Sequence, residues 1–286
     1  MSLRRARITQ RVRRVIRPVV IHALLIAICV VMVVPFLVVF TASLKCPALG
    51  DNMSPLSLDL VPQRFQWRNY LFAWHAGKLA VAFRNSILVC VVSTIGTVMI
   101  SAMAAYAIGR RRCFGHQWIL LFFLSSMMFA GQTTLIPQFI LYRALGLYDS
   151  LVIFMIPGAG AFTIYLLCHW FKNVPAEIEE AALIDGCSEW SIFFRIILPL
   201  SLPALATVGL FAFLGSWNNF AGPYAFLESE SNMTVPLAIQ MFPVRSPTFA
   251  AAKAAAVMIC FIPVLVVFVL LQRWFLKGLS LGAFKG

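Results

Sequence analysis

Residues 172–195 read KNVPAEIEEAALIDGCSEWSIFFR, and this stretch holds half of the ten acidic residues of a 286-residue chain. Its seven charges (Lys172, Glu177, Glu179, Glu180, Asp185, Glu189 and Arg195) interrupt a succession of long uncharged runs. A charged side chain costs roughly 2.5–3.5 kcal/mol at the centre of a membrane helix, so drawing all seven into hydrocarbon would cost on the order of 15–25 kcal/mol. The stretch must leave the bilayer, and the uncharged runs on either side mark what stays within it.

Those runs extend from Pro18 to Leu44, Asn85 to Gly109, Cys113 to Tyr142, Ser150 to Phe171, Ile196 to Leu227 and Ala254 to Gln272. A membrane-spanning helix needs about 20 apolar residues, so each run accommodates one helix and none comfortably two. The expected fold is an all-α membrane protein of six transmembrane helices with a cytoplasmic helix-turn-helix loop. Composition agrees. The chain is 61% hydrophobic and 12% charged, with mean hydropathy +0.89, against about 45–50% and about 25% for a soluble globular domain. A net charge of +13 raises the question of nucleic acid. The basic residues, however, fall between apolar runs, and neither a zinc-finger nor an aromatic RNA-binding motif is present, so no nucleic-acid partner is expected. Gly131, Gln132, Thr133 and Thr134 interrupt the third run and Pro199 and Pro203 stand early in the fifth, so span ends there are blurred. Pro35, Pro137, Pro157 and Pro263 predict kinks.

Seven arginines precede Pro18, and Arg110, Arg111 and Arg112 follow the second run. The positive-inside rule places both groups in the cytoplasm, and an even span count then brings the C-terminus there too. The expected organisation is a basic cytoplasmic N-terminus over 1–17, a six-span transmembrane region over 18–276 with its charged loop at 172–200, and a cytoplasmic tail over 277–286. The 27-residue uncharged run after the basic start exceeds a signal-peptide core and reads as a retained span. Seven cysteines without a C-x-x-C pair encode neither a disulfide framework nor a zinc site. His22 and His169 lack an intramembrane carboxylate for a proton relay and read as packing or interface residues. Lys253 snorkels from the start of the last span. No nucleophile motif supports a membrane hydrolase.

Within 172–195 the grammar is helix, turn, helix. Pro175 suits a first helical position, and Glu177, Glu179 and Glu180 suit the positive end of the helix dipole. Asp185-Gly186 marks a turn. Ser188 can cap a second helix in which Trp190, Phe193, Phe194 and Ile197 form an apolar stripe that something must cover. Two coverings stay open. The hairpin lies at the interface, on the membrane or on the chain's own helix ends, or it meets a protein that presents cations, since an acidic face suits an anionic leaflet poorly.

Glu180-Ala181-Ala182, Asp185-Gly186 and Ile196-x-Leu198-Pro199, at these offsets and between the fourth and fifth spans, resemble the E-A-A signature of permease subunits in ATP-binding-cassette importers. Cys187 departs mildly from the family, which commonly has a small residue there. Trp217-Asn218-x-Phe220-x-x-Pro223 and the tail residues Arg273, Trp274, Gly278, Gly282, Lys285 and Gly286 are similar to the carbohydrate-uptake members, in particular the smaller permease of maltose-type systems. The likeness runs for about 200 residues from the second span to the end.

The resemblance implies an importer subunit that carries a sugar, oligosaccharide or polyol-like solute into the cytoplasm. Its E-A-A helix (Glu180, Ala181, Ala182, Asp185, Gly186, with Ile196, Leu198 and Pro199 beyond) docks on an ATPase dimer, with Lys285 and Gly286 as a possible second contact. A second, nonidentical permease and an extracytoplasmic solute-binding protein complete the assembly in the bacterial inner membrane. No G-x-x-x-x-G-K-[ST] loop occurs, so this chain is expected to bind no cofactor, with ATP and Mg on the partner ATPase. Gln132, Thr133, Trp217, Asn218 and Asn219 offer groups for a neutral solute, or for hydrogen bonds between helices. The segment from Phe226 to Ser246, with Glu228, Glu230 and Asn232, resembles the loop that faces the binding protein. The other class of reading is a self-contained carrier or channel whose acidic hairpin is only interfacial.

Overall fold

A computed structural model of the chain describes residues 2–45, 65–111, 113–129, 131–243 and 247–283, and among the described residues there is no strand. The helices are α1 (Ser2–Leu44), α2 (Arg68–Ala76), α3 (Leu79–Ala105), α4 (His116–Ser126), α5 (Leu135–Ala144), α6 (Val152–Met155), α7 (Ala161–Lys172), α8 (Ala176–Ile184), α9 (Glu189–Ile192), α10 (Leu198–Leu200), α11 (Leu202–Trp217), α12 (Ala221–Phe226), α13 (Val235–Gln240) and α14 (Pro247–Ala283). Two five-residue π-turns, Tyr106–Arg110 and Phe193–Ile197, continue α3 and α9.

Among the described residues, three apolar stretches of helix are long enough to cross a bilayer: Pro18–Leu44, Leu79–Arg110 and Thr248–Trp274. Two bent pairs raise the number to five if each is one span. His116–Ser126 with Gly131–Ala144 bends by 89°, and Glu189–Leu200 with Leu202–Phe226 bends by 79°. The second bend falls within the Pro199–Pro203 segment, and the first lies just before Gly131–Thr134, which begins the second helix of its pair.

The run from Ser150 to Phe171 departs from expectation, because it is not one helix. Pro157 disfavours helical backbone at the residue before it, and Ile156 is extended at φ −63°, ψ 116°. Helix resumes only at Ala161, after Gly158 and Gly160. The twelve residues of α7 cover about 18 Å at 1.5 Å each, short of the roughly 30 Å hydrocarbon core. Gaps between charges show where charge is tolerated, and they do not register a break made of Pro and Gly.

The chain forms two compact units, Met1–Trp74 with Pro243–Ile259 and His75–Phe242 with Cys260–Gly286. In the first, the buried Asn69 amide donates to Ser43 O (2.8 Å) and Lys45 O (2.9 Å), satisfying carbonyls that the end of α1 leaves open. Ser43 also hydrogen-bonds the Tyr70 hydroxyl at 2.8 Å, and Phe72 meets Phe249 edge-on. Ala251, Ala252, Ala255 and Ala256 are fully buried, while Lys253 between them is half-buried.

In the second unit α3 packs most extensively on α11. Apolar burial adds little between helices already in lipid, so close backbone approach and interhelical hydrogen bonds matter more. Ser93 donates to Ser216 at 3.0 Å. At Gly96 a Cβ would lie 2.6 Å from Pro157 Cβ, and at Gly109 it would lie 3.0 Å from Cys168 Cα, so α3 meets the α6–α7 region through its glycines. A buried cluster joins the end of α3 and its π-turn (Ala105, Tyr106, Ile108), α7 (Ile164, Leu167, Phe171) and the start of α11 (Ala204, Val208) with residues from the charged hairpin. That hairpin therefore rests on the buried core of the unit.

Candidate functional site

Adjacent residues on an α-helix point about 100° apart, and α8 uses this to turn one of two neighbouring glutamates inward and the other outward. Glu179 and Ala182, one turn apart, are buried at 7% exposure each. Glu180, Ala181, Leu183, Asp185 and Gly186 are exposed, and Ile184 reaches 86%. Pro175 is the N-cap, one position earlier than expected.

The turn after α8 closes in the left-handed region, with Gly186 at φ +79°. Gly186 N donates to Leu183 O and Cys187 N to Ala182 O, both at 3.0 Å. This is the paired closure that favours glycine just past a helix end. Cys187 follows the turn and packs against the buried cluster. The Ser188 hydroxyl then accepts from Ser191 N at 3.3 Å, capping α9 as expected.

The apolar stripe does not keep its expected face. Phe193 and Ile197 are buried with Ile192, whereas Trp190 (62%) and Phe194 (45%) are exposed and stack at 6.0 Å. The π-turn Phe193–Ile197 is the cause. Its wider i→i+5 bonding shifts the phase of the helix, so the 3.6-residue count that aligned Trp190 with Ile197 no longer holds. Beyond it Ile196 and Leu198 are half-buried and Pro199 is exposed.

Two arginines at the end of the second span hold this hairpin. Arg110 Nε donates to Glu179 Oε1 at 2.9 Å, and its terminal nitrogens reach Pro175 O at 3.0 Å and Phe171 O at 3.5 Å. Arg111 approaches Glu189 at 3.6 Å and lies over the Tyr106 ring. In the sequence these arginines served only as a topology signal, and nothing distinguished Glu179 from Glu180.

The polar residues considered for a solute path lie on separate elements. Gln132 and Thr133 sit in an exposed 3₁₀ turn, Gly131–Thr134. Trp217 is 2% exposed, stacked on Phe213 at 5.7 Å and edge-on to Phe83 at 5.9 Å. Asn218 and Asn219 are exposed, and Asn219 Oδ1 accepts from Gly222 N at 3.3 Å, bracing the start of α12. Lys285 and Gly286 lie outside the described residues.

In a second polar assembly, Asp149, Lys78, Asn85 and Ser86, none of them singled out in the sequence, fasten the segment that holds Glu228, Glu230 and Asn232. Asp149, at φ +57°, accepts from Glu228 N (2.9 Å), Ser229 N (3.0 Å) and the Ser229 hydroxyl. Its own N–H donates to Phe226 O at 2.9 Å, and Asn232 donates to its carbonyl at 2.6 Å. Lys78 pairs with Glu230, the buried Asn85 donates to Ser231 O and Met233 O, and Ser86 accepts from Val235 N. Residues 226–235 thus form a fastened strap. Slight desolvation raises the Asp149 carboxyl, but the Ser229 and Glu228 hydrogen bonds outweigh it and hold the group below its usual value. A depressed carboxylate stabilises above its unfolded pKa and loses that contribution as pH falls through the folded one. Asp149→Ala should therefore speed hydrogen exchange at the Glu228 and Ser229 amides at pH 7. In the wild type the same acceleration should set in only below about pH 3.9, the unperturbed aspartate value.

Comparison with known proteins places this geometry. The family described as the inner membrane component of binding-protein-dependent transport systems matches residues 3–281. The chain belongs to that family. The permease is 33% identical over 229 residues to the probable ABC transporter permease protein YurM of Bacillus subtilis (strain 168), covering 79% of this chain and 76% of that one. It is 30% identical over 282 residues to the polygalacturonan/rhamnogalacturonan transport system permease protein YtcP of the same strain, covering 93% and 97%. A solved bacterial ABC transporter, involved in import of the acidic polysaccharide alginate, shares its fold with TM-score 0.80 at 24% identity, covering 93% of this chain and 98% of that one. The permease is accordingly a multi-pass inner-membrane transport component and not an enzyme.

Proposed function

We propose that the permease is the carbohydrate-conducting subunit of a binding-protein-dependent importer, driven through the hairpin of α8 and α9 by a separate cytoplasmic ATPase. The observation that carries this is the two-faced α8. One face is buried in the permease's own core, and the other presents Glu180, Ala181, Ile184 and Gly186. An acidic group beside small residues and an 86%-exposed isoleucine suits a cationic cleft on a protein better than lipid headgroups. A carbohydrate cargo is supported by relatives such as YtcP, whose name specifies polygalacturonan/rhamnogalacturonan transport.

In the full reading the chain crosses the membrane six times, with the fourth crossing built from α6, the Pro157–Gly160 break and α7. Residues 1–17, the hairpin within 172–200 and the tail 277–286 lie in the cytoplasm. ATP and Mg bind the ATPase dimer, which closes and draws the hairpin with it. A second, nonidentical permease completes the pathway, and a solute-binding protein meets the outer face near the strap 226–235. Gln132, Thr133, Asn218 and Asn219 contribute polar groups to the solute path, and Trp217, next to Asn218 in the chain, is buried against Phe83 and Phe213. Lys285 and Gly286 add a second ATPase contact.

Glu180→Lys tests the docking face. The side chain is exposed, so membrane abundance should match wild type. Recovery of the ATPase in mild detergent should fall about tenfold, the size of a loss of roughly 1.4 kcal/mol. Undiminished recovery would remove Glu180 from the contact.

A further inference from the structure

The hairpin can transmit force only if it moves with the spans, and its attachments are unequal. Arg111 and Glu189 stand 3.6 Å apart with Glu189 68% exposed. Arg110 and Glu179 differ. Their side chains are 14% and 9% exposed, and they meet at 2.9 Å. The guanidinium also bonds two carbonyls, Phe171 O at the end of α7 and Pro175 O at the N-cap of α8.

Resting on the importer reading above, we propose that Arg110 and Glu179 are positioning residues that form the rigid joint through which hairpin displacement reaches the second span. One planar guanidinium, which spreads its donors in a fixed fork, ties together the π-turn ending α3, the end of α7 and the first helix of the hairpin. Helix α8 is joined to the second span by directional, charge-assisted bonds. Helix α9 is joined mainly by packing, Phe193 lying 5.1 Å from Tyr106 across the two π-turns. The π-turn matters here because Arg110 is its last residue. Gly109, immediately before it, lies so close to Cys168 that the backbone carrying Arg110 is braced from behind. The adjacent glutamates thus divide the work. Glu180 faces a partner, and Glu179 hands the motion to the protein's own span.

The test uses the complete importer in proteoliposomes, with solute taken up per ATP hydrolysed as the readout. Glu179→Gln, close in shape but uncharged, should lower that ratio at least fivefold in complexes that still contain the ATPase. Arg110→Lys, which keeps the charge and loses the fork, should fall between the two. Arg110→Gln combined with Glu179→Gln should be no worse than the more severe single change, because both remove one interaction. A wild-type ratio in assembled Glu179→Gln, or losses that multiply in the double variant, would overturn the joint. The wild-type importer supplies an independent check if a variant fails to fold. Spin labels at Phe114, beyond the second span, and at Glu177, on α8, should keep the same separation with and without ATP. A separation that changes with nucleotide would overturn the joint, whereas wild-type permease that recovers no ATPase would remove the importer reading beneath it.

Discussion

Replacing Gly186 with valine is expected to lower uptake about tenfold in membranes that contain normal amounts of the permease. Gly186 has φ +79°, and no atom lies within 4 Å of the place a Cβ would take. The change therefore meets no clash within the chain, and its cost is conformational. An L-residue in the left-handed helical region costs roughly 1–2 kcal/mol, and a β-branched side chain is among the least tolerant there. A loss of one to two kcal/mol corresponds to a factor of about 5–30 in the population of the native turn. When the turn shifts, the Cys187–Ala182 bond and the Ser188 cap shift with it, and the exposed face of α8 no longer has one orientation. The substitution series separates conformation from space. Asparagine tolerates the left-handed region, so Gly186→Asn should retain most uptake and Gly186→Ala should fall between. If Gly186→Asn is as defective as Gly186→Val at equal abundance, the partner approaches too closely for any side chain. If Gly186→Val transports like wild type, the turn is not part of the coupling path.

Trp217→Ala is expected to produce the largest loss of stability. Trp217 is the largest fully buried side chain among the described residues, held between Phe83 and Phe213. Truncating a buried Trp costs about 3–5 kcal/mol in soluble proteins. Lipid is as apolar as the core it would replace, so the transfer component shrinks and the lost dispersion contacts remain, which sets the expected cost near the lower end, about 3 kcal/mol. The loss should be seen as a lower unfolding temperature in detergent and less permease in the membrane. Uptake should fall in proportion to the amount of protein, with unchanged half-saturating solute concentration. Asn218→Ala, at an exposed position, should leave stability intact. A stable Trp217→Ala permease with weakened solute affinity would instead place the indole directly on the solute path.

The all-helical membrane character, the turn at Gly186 and the cap at Ser188 were legible because their signals are energetic and local. The seven charges of residues 172–195 cannot stay in hydrocarbon, Gly186 marks a left-handed turn, and Ser188 caps the second helix of the hairpin. At Pro157 a kink was legible but the full break through Gly160 was not, since an uncharged run measures the absence of charge rather than the continuity of a helix. The faces of the hairpin were harder still. Glu179 and Glu180 are chemically identical neighbours, and only the packing of Ala182 and Ile192 on the second span decides which turns inward. A π-turn changes the phase of a helix without a clear mark in the sequence, so the stripe counted through Trp190 and Phe194 ran onto the exposed side. Arg110 read as a marker of topology because charge near a span end has that explanation by default. Its bond to Glu179, 69 residues away, exists only once the chain has folded.

The most direct test of the central claim is to purify the tagged permease from its native membrane in mild detergent and identify by mass spectrometry the proteins that accompany it. Recovery of an ATPase and a second, nonidentical permease is the predicted result. Recovery of this chain alone, under conditions that preserve known membrane complexes, would contradict the account and favour a self-contained carrier with an interfacial acidic hairpin.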